Sequence, residues 1–287
     1  MGAAGMLGRD CGTALDGPWR LVTLTRDQLD VTAAVARMSA ILGPLRPDVI
    51  VNCTGFTDVD GTEENMAEAE AVNAAGLGRL AEAARGLGAR LVHFSTDYVF
   101  DGAKPPPESY GEEDAPAPVN AYGLTKWRGE QAVRATLEEH LIVRTAWLYG
   151  RHGNSFPKAV LRQALAGRDL RVVDDQFGSP TWSLTLVRQV RALIEAGVTG
   201  TVHATARGHC TWFEFAQAFL RLMGIEARLA RCASAQYPRP ARRPANSILE
   251  NRRLGALGLD LMPPWEEDLA RFVAQHGADL RREGLPI

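Results

Sequence analysis

Short β-rich runs alternate with helical stretches through the first half of the chain, and this alternation limits the fold more than any single motif. Arg20–Thr25, Asp48–Cys53, Arg90–Ser95 and His140–Thr145 are rich in Val, Ile, Leu and Thr, and each is long enough for one strand. Between them lie Thr32–Leu42, Met66–Leu87 and Ala121–Glu138, with apolar residues at helical spacing. Strands joined through helices pair in parallel, and the helices then cover both faces of the sheet. The expected fold is α/β, with a Rossmann-like doubly wound parallel sheet over residues 1–150. After Gly150 the pattern loosens. Helices are expected at Phe156–Ala166, Leu184–Glu195, Trp212–Met223 and from Pro264, and strands at Leu170–Val173, Thr201–Ala204 and Ala227–Arg231. A smaller C-terminal α/β domain over 151–287, mainly for substrate binding and partly returning to the first domain, completes the expected architecture.

Gly2-Ala3-Ala4-Gly5-Met6-Leu7-Gly8 has glycines at the spacing of a dinucleotide-binding turn. Gly2, Gly5 and Gly8 would permit a tight turn, close approach of a pyrophosphate and close packing of the following helix, whose N-terminus offers free N–H donors. Such a turn follows a buried central strand, yet only Met1 precedes it here. Some five apolar residues at roughly 2 kcal/mol each make that strand worth on the order of 10 kcal/mol. With no first strand ahead of the turn, the expectation is that about five to eight β-rich residues are encoded just upstream of Met1.

Tyr122-Gly123-Leu124-Thr125-Lys126 opens a helix, and the i, i+4 spacing puts both side chains on one face. A ketone reductase has to deliver a proton to the carbonyl oxygen as hydride reaches carbon. A phenol is poorly matched to that task near neutral pH, and a neighbouring ammonium lowers its pKa. Chance would supply about 0.05 such pairs in a chain of this composition. The chain holds Lys at only three positions, Lys104, Lys126 and Lys158, and otherwise uses Arg. A titratable point charge kept here in place of a guanidinium favours chemistry.

A formal net charge of −2 gives no reason to expect nucleic acid or an anionic membrane as partner. Cys11, Cys53, Cys210 and Cys232 form no Cys-x-x-Cys pair and read as reduced thiols; no metal-ligand spacing occurs among them or the six His. No apolar stretch reaches the ~20 residues of a membrane span, and no signal peptide is evident. Met6 stands where a myristoylation motif needs Ser or Thr. A cytoplasmic location is expected.

Further motifs follow in order: Val51-Asn52; Ser95-Thr96-Asp97-Tyr98-Val99-Phe100-Asp101-Gly102; Arg144-Thr145-Ala146-Trp147-Leu148-Tyr149-Gly150; Asp175-Gln176-Phe177-Gly178-Ser179-Pro180-Thr181; and Ala241-Arg242-Arg243-Pro244-Ala245-Asn246-Ser247. With Tyr122-x-x-x-Lys126, this series resembles the dTDP-4-dehydrorhamnose reductase family, from Gly2 to the terminal helix. The resemblance implies a catalytic set of Thr96, Tyr122 and Lys126, with Thr96, Asp97 and Trp147 touching the sugar nucleotide. It places Gly5, Met6 and Leu7 at the pyrophosphate of NADPH or NADH, Asp30-Val31 beside adenine, and Gly55-Phe56-Thr57 and Phe94 beside the ribose and nicotinamide. Tyr122 and Lys126 border the same nicotinamide ribose. The implied substrate is a dTDP-linked 4-keto-6-deoxy sugar, and a homodimer is one expected assembly.

The chain departs from the family pattern in three places. Thr25-Arg26 ends the second expected strand with no acidic residue for a ribose 2′-hydroxyl, and Arg26 could pair with a 2′-phosphate instead. Gly61 stands where the family often has Lys, and Ile248 where a basic residue is common. Asp30 is also placed to cap the helix expected from Thr32. The rival reading is a non-catalytic, dinucleotide-binding regulatory subunit like that of methionine adenosyltransferase. An intact Thr96, Tyr122, Lys126 and Trp147 favours the enzyme. An epimerase or dehydratase would need further acid/base residues that the sequence does not locate.

Overall fold

The computed structural model describes residues 1–17 and 19–284. Helices are Met6–Ala14 (α1), Val35–Leu42 (α2), Gly61–Glu64 (α3), Met66–Glu70 (α4), Gly76–Leu87 (α5), Ala121–Thr136 (α6), Phe156–Leu165 (α7), Ser183–Glu195 (α8), Trp212–Leu222 (α9), Arg252–Ala256 (α10) and Trp265–Gly284 (α11). Strands are Val49–Asn52 (β1), Arg90–Thr96 (β2), His140–Thr145 (β3), Leu148–Tyr149 (β4), Leu170–Val173 (β5), Phe177–Gly178 (β6), Thr181–Trp182 (β7), Gly200–His203 (β8), Cys210–Thr211 (β9) and Leu229–Cys232 (β10).

The main sheet runs β1-β2-β3-β8, and every pair in it is parallel. Period-two alternation splits its side chains between two cores. Val92, Phe94, Leu141 and Val143 pack with α1 and α8, while Ile50, Leu91 and Ile142 pack with α2 and α5. A third cluster joins Tyr149, Leu161, Val172, Phe215 and Phe272 across the later elements. β8, from the second half of the chain, completes the main sheet by pairing with β3.

One expected strand does not form. Arg20–Thr25 is extended but has no ladder partner, and Leu21 and Val22 stay 37% and 42% exposed. The composition is right for a strand, but a strand needs a neighbour to accept its backbone bonds. Between this segment and β1 lies a cavity of about 1220 Å³, lined by Leu21, Leu24, Leu42, Val49, Val51 and others. Met1 and Ala3 bridge its end. The Met1 ammonium donates to the Val51 carbonyl at 2.7 Å, Cys53 N–H donates to the Met1 carbonyl at 3.1 Å, and Ala3 N–H donates to Leu24 at 3.1 Å.

Smaller differences have local causes. The helix expected from Thr32 begins at Val35, because Asp30 Oδ1 accepts from the Thr32 backbone and hydroxyl, both at 2.7 Å, and so closes a turn. Asp30 therefore caps that turn and not α2, whose N-cap Ala34 has no side-chain bond. The expected Met66–Leu87 helix is continuous, with a wide π-turn over Ala71–Ala75. The expected Ala227–Arg231 strand is shifted to Leu229–Cys232, where it pairs with β5.

The cavity lies between Arg20–Thr25, which has no ladder partner, and β1, the edge strand of the main sheet, an arrangement that suits one more strand. Placing about five β-rich residues ahead of Met1 should raise the melting temperature by several degrees and protect the amides of Arg20–Thr25. Met1 would then keep its bond to Val51 as a peptide N–H. Calorimetry and amide exchange check this; an unchanged midpoint with Arg20–Thr25 still exchanging freely would show that the slot does not accept a strand.

Candidate active site

Two glycines let α6 approach the rest of the fold closely. A Cβ on Gly123 would lie 2.0 Å from the Tyr98 carbonyl, and one on Gly129 would lie 2.0 Å from the Asn73 carbonyl. Asn120 caps the helix by accepting from Gly123 N–H at 2.8 Å, and its Nδ2 donates to the Arg242 carbonyl at 2.8 Å. Tyr122 thus enters on the first turn of α6, and Lys126 follows one turn later beneath β2.

The end of β2 supplies the facing groups. Thr96 donates to Asp97 Oδ1 at 3.0 Å and accepts from Tyr98 N–H at 3.2 Å. Lys126 Nζ donates to the Phe94 carbonyl at 2.6 Å. Tyr98 and Tyr122 meet edge to face, with ring centroids 5.9 Å apart. Thr96, Asp97, Tyr122, Lys126 and the Phe94 backbone therefore converge on one strand end. Burial pushes the Tyr122 phenol up to about 12, the Thr96 hydroxyl pulling against it. Burial lowers Lys126 to about 8, opposed by the charge of Glu130.

The glycine turn is built as its spacing suggested. Gly2 has φ of +74°, and a Cβ there would lie 2.9 Å from the backbone of Cys53. A Cβ on Gly8 would lie 2.1 Å from the Gly2 carbonyl. Gly5 is the N-cap of α1 with no side-chain bond, so the N–H groups of Met6, Leu7 and Gly8 stay available to an anion. This cradle fits a dinucleotide pyrophosphate. The Gly55-Phe56-Thr57 loop is held by Asn73, which accepts from Phe56 N–H at 2.9 Å and donates to its carbonyl at 3.0 Å. Val31 is buried, and its carbonyl would lie 2.7 Å from a Cβ on Gly76. Arg26 is 74% exposed and pairs with Asp30 at 2.9 Å.

Trp147 lies two residues beyond Thr145, the register partner of Thr96. It has φ of +46° and stacks on Trp212 with ring centroids 3.5 Å apart, and a Cβ on Gly178 would lie 2.3 Å from its ring. A bulky residue held in left-handed backbone is strained, and strain of this kind is retained where surrounding packing dictates it. Asn73, His93, Asn120 and Trp212 escape the motif reading. Asn73 and Trp212 look like ordinary helix residues, and His93 like one polar position in a strand. The glycines inside α6 were the available signal, because helical Gly marks close approach.

Burial raises the Asp97 carboxyl to about 6, against hydrogen bonds from Ser247 and Thr96, and its Oδ2 has no well-formed partner. A folded-state pKa above the unfolded value means this group favours folding while protonated, and the contribution is lost as pH rises from about 4 through about 6. Asp97→Asn should therefore stabilise the fold by about 2 kcal/mol near neutral pH and by little near pH 4. Thermal melts of both proteins across that range check it; a gain equal at both pH values would mean Asp97 carries no ionisation penalty.

The family model described as "RmlD substrate binding domain" matches residues 1–277. The dTDP-4-keto-6-deoxy-D-glucose reductase of Streptomyces niveus is 39% identical, covering 97% of this chain and 96% of its own. The dTDP-4-dehydrorhamnose reductase of Mycobacterium tuberculosis is 42% identical, over 95% of this chain and 91% of its own. The crystal structure of dTDP-4-dehydrorhamnose reductase from Bacillus anthracis in complex with NADP superposes with a TM-score of 0.92 at 36% identity, covering 96% of this chain and 97% of that one. The parallel sheet is accordingly the Rossmann fold of the extended short-chain dehydrogenases. The chain belongs to the RmlD substrate-binding-domain family and is a dTDP-4-dehydrorhamnose reductase-like oxidoreductase.

Proposed function

We propose that the chain reduces the C4 ketone of a dTDP-4-keto-6-deoxy sugar with NADPH, with dTDP-4-dehydro-L-rhamnose as substrate and dTDP-L-rhamnose as product. The observation that carries this reading is the convergence of Thr96, Tyr122 and Lys126 at the end of β2, beside a glycine cradle shaped for pyrophosphate. Residues 1–150 would hold the dinucleotide, and residues 151–287 most of the sugar nucleotide, with β8 returning to the first part.

The nicotinamide, when bound, supplies hydride to C4. Thr96 and Tyr122 address the ketone oxygen as its charge grows. Tyr122 is protonated in this site and gives its phenolic proton to that oxygen, so hydride and proton together make the hydroxyl. Lys126 holds the ribose and, as an ammonium, makes the phenol more acidic. Met6, Leu7 and Gly8 N–H groups receive the pyrophosphate, and Gly55-Phe56-Thr57 backs the ribose. Asp97 and Trp147 bound the sugar side. Arg26 is free to meet a 2′-phosphate, since an exposed pair such as Arg26–Asp30 is worth at most about 1 kcal/mol.

Three outcomes follow. A panel of dTDP-4-keto sugars, followed by NADPH oxidation, should show turnover with the rhamnose precursor; turnover only with a different 4-keto sugar would move the substrate assignment. Tyr122→Phe should lower kcat on the order of 10²–10⁴ with dinucleotide affinity nearly unchanged, because only proton donation is lost. Near wild-type turnover would remove Tyr122 from the reaction. Arg26→Ala should weaken NADPH and spare NADH, and equal loss for both would make Arg26 a bystander.

A further inference from the structure

Lys126 has a second neighbour besides the Phe94 carbonyl. Its Nζ lies 3.1 Å from Nε2 of His93, and the other ring nitrogen, Nδ1, lies 3.2 Å from Nδ2 of Asn52, its register partner on β1. His93, Asn52 and Lys126 are 1%, 1% and 4% exposed, so these contacts are shielded from solvent. Every group in the row is either donor or acceptor, and fixing one fixes the rest.

The row is fixed at Thr54. Asn52 Oδ1 accepts from Thr54 N–H at 3.1 Å and from the Thr54 hydroxyl at 2.6 Å. A backbone N–H can only donate, so the amide oxygen of Asn52 faces Thr54 and its NH2 faces His93. Nδ1 of His93 then accepts, and the ring proton sits on Nε2. Nε2–H donates to Lys126 Nζ, which can accept only as an uncharged amine. A charged Lys126 donating to Nε2 would put the ring proton on Nδ1, against the Asn52 NH2. Two donors would then face each other in a buried site, and turning the Asn52 amide over moves the same conflict to Thr54 N–H.

We propose that His93 is a positioning residue that stores Lys126 as an uncharged amine, through the row Thr54–Asn52–His93–Lys126 running from β1 to α6. The proposal rests on the reading that Lys126 serves the dinucleotide ribose and Tyr122. Complete burial holds His93 well below the ordinary imidazole range, which keeps the ring neutral. Glu130, one turn along α6, is the charged group that acts on Lys126, and its carboxylate is already shared by Arg144 and Arg134. Asn52 from β1 and His93 from β2 add no charge. With no cation beside it, the Tyr122 phenol keeps its proton. Lys126 gains its own proton from solvent when ribose hydroxyls come within reach as acceptors, so the ammonium arrives with the dinucleotide.

The test uses the full chain with lysine labelled at Cε for NMR. Only three lysines are present, and Lys126→Met assigns the signal of interest. In the free protein Lys126 should titrate below neutrality, lower than the value of about 8 that burial gives it, and His93 ring-nitrogen shifts should place the proton on Nε2. His93→Gln, whose amide oxygen can accept from an ammonium, should move the Lys126 midpoint up by about one pH unit and move the pH profile of kcat/KM with it. In the wild type NADPH should raise the midpoint too, with net proton uptake on binding. A proton on Nδ1, or a downward shift in His93→Gln, would overturn the proposal, since His93 would then be accepting from a charged lysine. The tautomer is read in the wild type, so the proposal stays testable even if the variant fails to fold. If the tautomer is as expected but NADPH leaves the Lys126 signal unmoved, storage by His93 stands and the ribose contact of Lys126 falls.

Discussion

A buried ion pair holds α6 against the sheet, and the site is arranged around it. Arg144 on β3 and Glu130 on α6 are 2% and 0% exposed, joined by bonds of 3.0 Å from Nε and 2.8 Å from Nη2. Arg134 adds a second cation to the same carboxylate and reaches Thr201 on β8 at 2.8 Å. Breaking such a pair leaves an uncompensated charge and costs about 3–5 kcal/mol. Burial and the Arg144 charge keep His203 at about 3, so the cluster carries no further cation at neutral pH. Glu130 lies one turn beyond Lys126 and two beyond Tyr122. The pair therefore fixes the rotation of α6 about its axis, while Gly123 and Gly129 fix its depth.

Low solvent access then changes the chemistry of every group in the pocket. Desolvation raises Tyr122 and Asp97 and lowers Lys126 and His93. All four shifts move each group towards its neutral form, and the burial that causes them solvates any remaining charge poorly. Charge introduced there by a dinucleotide or a developing alkoxide meets little screening, and hydrogen bonds to it are correspondingly strong. The stacked Trp147 and Trp212, both half-buried, join the end of β3 to the C-terminal elements.

Much of this was legible in the sequence, for identifiable reasons. Leu141–Val143 and Leu91–Val92 lie in strands buried on both faces, so they appear as unbroken apolar runs. Tyr122-x-x-x-Lys126 is visible because an i, i+4 helical relation is local. Arg20–Thr25 misled because β composition reports what a strand is made of and not whether a partner is present. Asp30 misled because its side chain closes a turn at Thr32 three residues before the helix begins. His93 was silent because its meaning lies in Asn52 and Lys126, 41 and 33 residues away in the chain. Only the register of β1 on β2 and the docking of α6 bring those three together.

The proposed reduction at C4 by hydride from the nicotinamide can be followed by isotope transfer. NADPH carrying deuterium at its transferable position would be supplied with the dTDP-4-keto-6-deoxy sugar, and the product read by NMR. Deuterium is expected at C4 of the product sugar, in one configuration only. Product labelled at another carbon, or a rearranged sugar carrying no label, would contradict it and place the chain's chemistry elsewhere on the ring.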